Sequence, residues 1–366
     1  MLQPEADIHL GRLIKNYQFI QSKVGLAKVM AVVKSDAYGH GVVQVSRCLS
    51  GAGIHGFCVA LVCEIKELIH ADIHNPILHL GRISSDELDV YKSGQVRCTI
   101  NSSEDIKMLE NYGYQNHVRI KAHLKIDTGM GRMGIRYEDL ESTMVKLAEI
   151  QHIDIEGIYS HFSTAEERDT EYRDWQLKRF KEAVAIAEKK IPQLINIHMA
   201  NSAAVLSYPQ AYFNMVRPGI SLFGVTPFDM PYDNLLPVMR MKAPVAFIKE
   251  FNRGESVGYN RYYVTKQNEK IAIIQAGYAD GIPLELSNRG EVEIEGIIYP
   301  IVGKVSMDLV AICCKELEIK TGNIATFWGS DNKKLCLETL AKKHKKIPYE
   351  FLVGVTKRVK RNYIYE

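Results

Sequence analysis

Five polar side chains stand at or near the ends of short apolar runs, where a folded chain would gather them. Lys34 closes the run in AVVKSDAYGHG, His161 follows IYS, Asn201 and Ser202 follow HMA, and Arg217 lies in NMVRPGISLFG. A lysine at a strand exit can snorkel to solvent. Held desolvated at a barrel mouth, it instead acquires a lowered pKa and can form a Schiff base. The following Asp-Ala-Tyr-Gly-His-Gly favours the second reading, because two glycines and an aromatic suit close approach by a ligand. Ser202 offers a hydroxyl to a phosphate, and the Gly219–Ile220 amides could cradle the same anion. The same serine would also serve as an ordinary helix N-cap.

A further set lies in HVRIKAHLKIDTGMGRMG, which alternates cleanly. Val118, Ile120, Ala122, Leu124 and Ile126 share one face; Arg119, Lys121, His123 and Lys125 share the other. On a solvated sheet a basic face is unremarkable, but in a barrel strand it would line the interior. The Gly-Met-Gly after Asp127 gives a flexible turn able to present Arg132 to an anion.

The elements that must position these residues follow a rhythm of apolar run, polar turn and helix over the first 225 or so residues. The runs are Ala27–Val33, Gly56–Val62, Pro76–Leu80, Val96–Ile100, Val118–Ile126, Ile155–Tyr159, Leu194–His198 and Asn214–Phe223. Among the helices between them, the clearest has Leu177, Phe180, Val184 and Ala187 on one face. Eight such units fit an α/β fold, a closed (β/α)8 TIM-like barrel whose catalytic face lies at the strand C-termini. An open doubly wound sheet is the alternative, although its G-x-G-x-x-G is absent. Near Pro237 the rhythm gives way to short strands split by Gly, Asn and Asp turns, with one helix from Leu337 to about His344. Two domains are therefore expected: 1–236, the barrel, and 237–366, mainly β.

Composition excludes more than it assigns. The 366 residues are 46% hydrophobic and 24% charged, with a net charge of +3. No run is long and apolar enough to span a membrane, and the N-terminal stretch does not read as a secretory signal. The basic runs Lys342–Lys346 and Lys357–Arg361 lack interleaved stacking aromatics, so they read as solvated faces and not as a nucleic-acid groove. Seven cysteines show neither C-x-x-C pairs nor zinc spacing, which points to free thiols in a reducing cytoplasm and to no metal.

Taken together and in order, DIHLGRLIKNY, AVVKSDAYGHG, HLKIDTGMGRMG, SHFSTAEE, ANSAA, VRPGISLFG, VGYNRYY, GYADG, SMD and IPYE resemble the alanine racemase family along the whole chain. The resemblance implies a barrel that binds pyridoxal 5'-phosphate and a β domain that completes the active site of a homodimeric partner. It implies L- and D-alanine as substrates, with D-alanine passing to peptidoglycan. Lys34 would then carry the cofactor and act as one base, and Tyr259 from the other subunit would be the second. Arg217 would face the pyridine nitrogen, with His161 beside the ring. Tyr38, Ser202, Gly219, Ile220 and Tyr278 would hold the phosphate. Arg132 and the Met307 amide would meet the substrate carboxylate, and Tyr349 would pair with Tyr259 at the entrance. Lys125 matches a lysine that is carbamylated in some members. Two bases on opposite faces of Cα suit a racemisation, and an arginine, which gives up no proton, should leave the pyridine nitrogen unprotonated.

Three positions depart from the family pattern: Ser35-Asp36 for Ala-Asn, Asn260 for a glycine, and Ser306 for a frequent cysteine. Asp36 would add a carboxylate near Lys34 if it pointed inward. Asn260 tolerates left-handed backbone angles better than most residues. The competing readings are a racemase of the same fold acting on serine or another amino acid, a decarboxylase sharing the barrel, and a non-catalytic cofactor carrier. The carrier resembles the barrel alone. Arg217 and the second domain with Tyr259 favour the racemase.

Overall fold

The apolar runs condense into short buried strands, followed by helices. The computed structural model describes residues 3–167, 169–191, 194–314 and 319–366. In chain order come β1 (Glu5–His9), β2 (Lys28–Val32), β3 (Gly56–Val59), β4 (Ile77–His79), β5 (Val96–Ile100), β6 (Ile120–Asp127), β7 (Ile135–Arg136), β8 (Ile153–Tyr159), β9 (Asn196–His198) and β10 (Met215–Val216). Among the described residues, all of these except β1 and β7 close one parallel ring, β2-β3-β4-β5-β6-β8-β9-β10, with β10 returning to β2. Helices alternate with the ring strands, so the closed (β/α)8 barrel is the architecture and the open sheet is not.

Two strands stop earlier than their apolar residues suggest. β3 ends at Val59 because the Glu64 carboxylate accepts from the Ala60 and Leu61 amides, at 2.8 and 3.0 Å, and starts the helix Val62–His70. β10 ends at Val216, two residues before Pro218, which has no N–H to continue the ladder.

Along β6 the alternation holds. Ile120, Ala122, Leu124 and Ile126 are buried against the helices, while His123 and Lys125 are buried on the other side of the strand. The lower half of that basic face reaches the rim, where Lys121 pairs with Glu156 at 3.0 Å and Arg119 pairs with Asp154. Arg97 donates to the same Glu156 at 3.0 Å, so charge pairs close the N-terminal end of the ring. The helix Glu171–Glu188 buries Leu177, Phe180, Val184 and Ala187 as their spacing requires. Phe180 meets Phe213 edge-on at 5.2 Å, and removing that ring would cost roughly 3–5 kcal/mol.

The later strands are β11 (Met239–Phe251), β12 (Ser256–Val257), β13 (Tyr263–Val264), β14 (Glu269–Ile274), β15 (Glu291–Ile294), β16 (Ile297–Val302), β17 (Val310–Cys314), β18 (Ile324–Trp328) and β19 (Lys360–Ile364). The order β14-β17-β16-β15-β18-β11 closes on itself, because the long β11 pairs with β18 through its first half and with β14 through its second. Trp328 and Phe351, both fully buried, meet edge-on at 5.8 Å in its core.

β1 belongs to this second sheet. It pairs antiparallel with β11 and parallel with β19, so the chain does not divide at a single point near residue 236. By compactness, one unit comprises the residues up to Asn16, Tyr38–Gly41 and Phe223–Glu366, and the other comprises Tyr17–Ala37 and Val42–Leu222. Among the described residues, no helix is long and apolar enough to cross a membrane.

Candidate active site

Lys34 leaves the barrel wall at the end of Val29–Val33, all buried, and the backbone then does something unusual for L-residues. Ser35, Asp36, Ala37 and Tyr38 have φ of 56°, 55°, 51° and 54°, a left-handed turn that continues into Gly39. Each such residue is disfavoured by roughly 1–2 kcal/mol, so the turn must be held from outside. The Ala37 amide donates to the Val33 carbonyl at 2.9 Å, and the Ser35 amide donates to Glu64 Oε1 at 2.6 Å. Asp36 does not add charge beside the lysine. Its Oδ1 accepts from the Val42 amide at 2.8 Å and caps the helix Val42–Gly51. Burial, and then Arg132, push the Lys34 amine below the usual lysine range, opposed by Glu64 and Cys58.

Deeper in the barrel the Arg217 guanidinium is buried and donates to the Ser160 carbonyl at 2.8 Å and to His198 Nδ1. A guanidinium only donates, so His198 must accept at Nδ1 and carry its proton on Nε2. That N–H faces His123 Nδ1 at 2.8 Å, which leaves the His123 proton on Nε2, a buried atom without a partner among the described residues. Burial holds both imidazoles neutral, with His123 pushed down to about 3 and His198 well below its ordinary value. The Tyr159 ring stacks on His198 at 4.8 Å, anchors its hydroxyl on Thr99 at 2.9 Å, and lies under both Arg217 and Lys125. Lys125 is pulled down to about 8, by burial first and then by Arg132 and Arg217. His161 keeps some solvent exposure, but crowding and the cations Arg217, Arg132, Lys125 and Lys34 hold it neutral.

Ser202 opens the short helix Ser202–Ser207 with Asn201 as its cap, and the Asn201 side chain accepts from the Ala204 amide at 3.0 Å. The Ser202 hydroxyl accepts from the Gly219 amide at 2.9 Å and the Ser221 amide at 3.3 Å. Ser202, Gly219 and Ile220 are thus neighbours. Arg132 lines a crevice of about 460 Å³ with Asp127, Gly129, Gly131 and Gly134. The loop is less free than its glycines suggest, because Asp127 Oδ1 accepts from the Gly129 and Gly131 amides at 3.0 and 3.1 Å.

In the other unit, Tyr38 packs against Tyr349 at 5.9 Å and Phe223 at 5.3 Å. Tyr259, Tyr278 and Met307 are exposed. Tyr259 lines a cavity of about 390 Å³ with Lys304 and Ser306, and the Tyr278 amide donates to the Ser306 carbonyl at 3.0 Å. Asn260 takes the left-handed conformation, φ 60°, and Ser306 closes its turn by donating to the Leu309 carbonyl at 2.8 Å.

The barrel unit therefore holds Lys34, Lys125, Arg132, His161, Ser202, Arg217, Gly219 and Ile220; within the other unit Tyr38 lies against Tyr349, and Tyr259, Tyr278 and Met307 are exposed. Sequence reasoning missed Glu64, His198, Tyr159 and the loop role of Asp127. Only Glu64 left a signal, as an acid three residues after a helix start. The barrel set fits pyridoxal phosphate: a desolvated amine, a buried donor-only guanidinium held in place, and a hydroxyl with backbone amides beside it.

Comparison with known proteins agrees. The family described as "Alanine racemase, N-terminal domain" matches residues 8–227, and "Alanine racemase, C-terminal domain" matches 238–363. Alanine racemase 2 of Caldanaerobacter subterraneus is 36% identical over 98% of this chain and 94% of its own. The alanine racemase structure from Bartonella henselae, with covalently bound pyridoxal phosphate, superposes with TM-score 0.90 at 30% identity, covering 100% of both chains. That from Bacillus anthracis, with bound L-Ala-P, gives TM-score 0.91 at 31% identity over 100% of this chain and 95% of the other. The chain belongs to the alanine racemase family and is an amino-acid racemase.

Proposed function

We propose that this enzyme interconverts L- and D-alanine with pyridoxal phosphate held on Lys34, by a two-base route, in the cytoplasm, and that the D-alanine serves peptidoglycan. The observation that carries this reading is the cationic barrel mouth, where Lys34, Lys125, Arg132 and Arg217 act on one another and Asp127 and Glu64 are the neighbouring acids. Such a site calls for anionic ligands, a phosphate and a carboxylate. The cofactor-bearing and L-Ala-P-bearing relatives support the same pair.

Lys34 would hold the cofactor covalently; Tyr38, Ser202, Gly219, Ile220 and Tyr278 its phosphate; Arg217 its ring nitrogen; and His161 its ring face. Bound there, pyridoxal phosphate supplies the electron sink that acidifies the substrate Cα–H. Lys34 Nζ moves the proton on one side of Cα, and Tyr259 of the partner subunit moves it on the other through its phenol oxygen. Arg132 and the Met307 amide orient the substrate carboxylate, and Tyr349 narrows the entrance with Tyr259, which favours a small side chain. Arg217, fixed by His198 and Ser160, donates to the ring nitrogen without protonating it. Lys125, with its lowered pKa, has the neutral amine needed to take up CO2 as a carbamate, losing one proton, and would then steady Arg132. The barrel supplies most of the cofactor pocket, and Tyr259 and Tyr349 of the mainly β domain complete the pocket of the other protomer in a homodimer.

The test is a chiral assay of L-alanine with cofactor-loaded protein, with L-serine and L-lysine in parallel. Alanine should be converted fastest, and Lys34→Ala should abolish conversion. Faster turnover of serine would instead favour the serine reading.

A further inference from the structure

Glu64 lies outside every set of residues assigned above, yet it holds the chain on either side of the lysine's exit. One carboxylate oxygen accepts from the Ser35 amide at 2.6 Å, the first amide of the left-handed turn. The other accepts from the Ala60 and Leu61 amides, at 2.8 and 3.0 Å, at the start of its own helix. Both oxygens are thus engaged, and the helix end that Glu64 caps becomes a fixed point to which the strained turn is tied. Without an acceptor for the Ser35 amide, the turn loses its first restraint and can relax toward right-handed angles, which re-aims Lys34.

We propose that Glu64 is a positioning residue for Lys34: by holding the Ser35 amide it fixes the left-handed turn that aims the lysine at its cofactor. This rests on the reading that Lys34 carries pyridoxal phosphate. Around the lysine amine stand Glu64 from the helix Val62–His70, Cys58 from β3, Arg132 from the loop after β6, and Lys125 and His161 from the barrel interior. Glu64 favours the charged amine and the neighbouring cations oppose it, so loss of its charge should lower the pH at which Lys34 becomes nucleophilic.

Glu64→Gln keeps the shape but offers one acceptor oxygen for three amides. Leu68→Ala truncates a buried residue of the same helix and leaves the carboxylate in place, so it serves as the control for lost stability. Each holoenzyme is diluted into cofactor-free buffer containing hydroxylamine, and cofactor release is followed by absorbance. Cofactor-free protein is acetylated across a pH series, and Lys34 is scored by mass spectrometry. The expected result is release at least about tenfold faster in Glu64→Gln and a lower acetylation midpoint, with Leu68→Ala matching wild type in both despite a lower melting temperature. Release within about twofold of wild type, or an equal change in Leu68→Ala, overturns the proposal. Should Glu64→Gln fail to fold, Glu64→Asp, whose shorter arm cannot reach all three amides but keeps the charge, is read by cofactor release alone. Borohydride reduction of the wild-type holoenzyme separates the two levels: cofactor found on a residue other than Lys34 sinks the underlying reading, whatever Glu64 does.

Discussion

Gly157 presses against the ring of His123: a Cβ on Gly157 would lie 2.7 Å from Nδ1, the atom that accepts from His198. A glycine is thus what lets the two imidazoles meet inside the barrel. Gly157→Ala should displace His123 and lower stability by about 1–3 kcal/mol, the usual cost of overpacking. Urea denaturation measures it, and a change below about 0.5 kcal/mol would show that the ring has room to move.

Arg217 is placed to donate without giving up a proton. Arg217→Glu should reduce racemisation by on the order of 10²-fold and raise transamination, read as pyruvate formed from alanine. Circular dichroism checks that the barrel remains folded. A variant that loses racemisation without gaining pyruvate would show that Arg217 does not tune the cofactor in this way.

Lys125 gives a stability signature with a definite sign. Its amine titrates near 10.5 in the unfolded chain and at about 8 in the folded one. Between those values the unfolded state binds the proton and the folded state does not, so stability from this group rises with pH from about 8 to about 10.5. Below about 8 both states are charged and the penalty is constant. The full rise is about 3 kcal/mol. In bicarbonate-free buffer, wild type should gain on Lys125→Met across that window; a constant difference between them would contradict the lowered pKa. With labelled bicarbonate, a carbamate carbon resonance present in wild type and absent in Lys125→Arg would report the modification.

The proposed sharing of active sites between protomers predicts complementation. Lys34→Ala and Tyr259→Phe are each expected to be nearly inactive alone. Mixed and reassembled, they form heterodimers with one intact site, giving roughly a quarter of wild-type activity under random pairing of two-fold dimers. Mixtures no more active than their parents would place Tyr259 with Lys34 of its own chain.

Much of this site was legible because residue type and strand exits coincide. Lys34, His161, Ser202 and Arg217 each follow or sit in a β-branched run, and a barrel turns every such exit to one end. What stayed hidden depends on contacts between distant segments. Ser35, Asp36, Ala37 and Tyr38 give no glycine signal for a left-handed turn; Glu64 and the Val42 amide impose it from other elements. The loop before Arg132 reads as flexible from its glycines, whereas the carboxylate of Asp127 organises it. The direction of the proton in His198 follows only once Arg217 is found at its Nδ1. Strand propensity likewise cannot say which sheet β1 joins, since Ala6 and Ile8 would suit either.

That placement of β1 bears on how the protein is made. Glu5–His9 are synthesised well before their sheet partners Met239–Lys242 and Lys360–Ile364. At 5–20 residues per second, Ala6 and Ile8 wait roughly 10–50 s for the earlier partner, while the barrel strands can already pair among themselves. The nascent chain thus carries an unpaired apolar strand while the whole barrel is being made, a natural foothold for a chaperone.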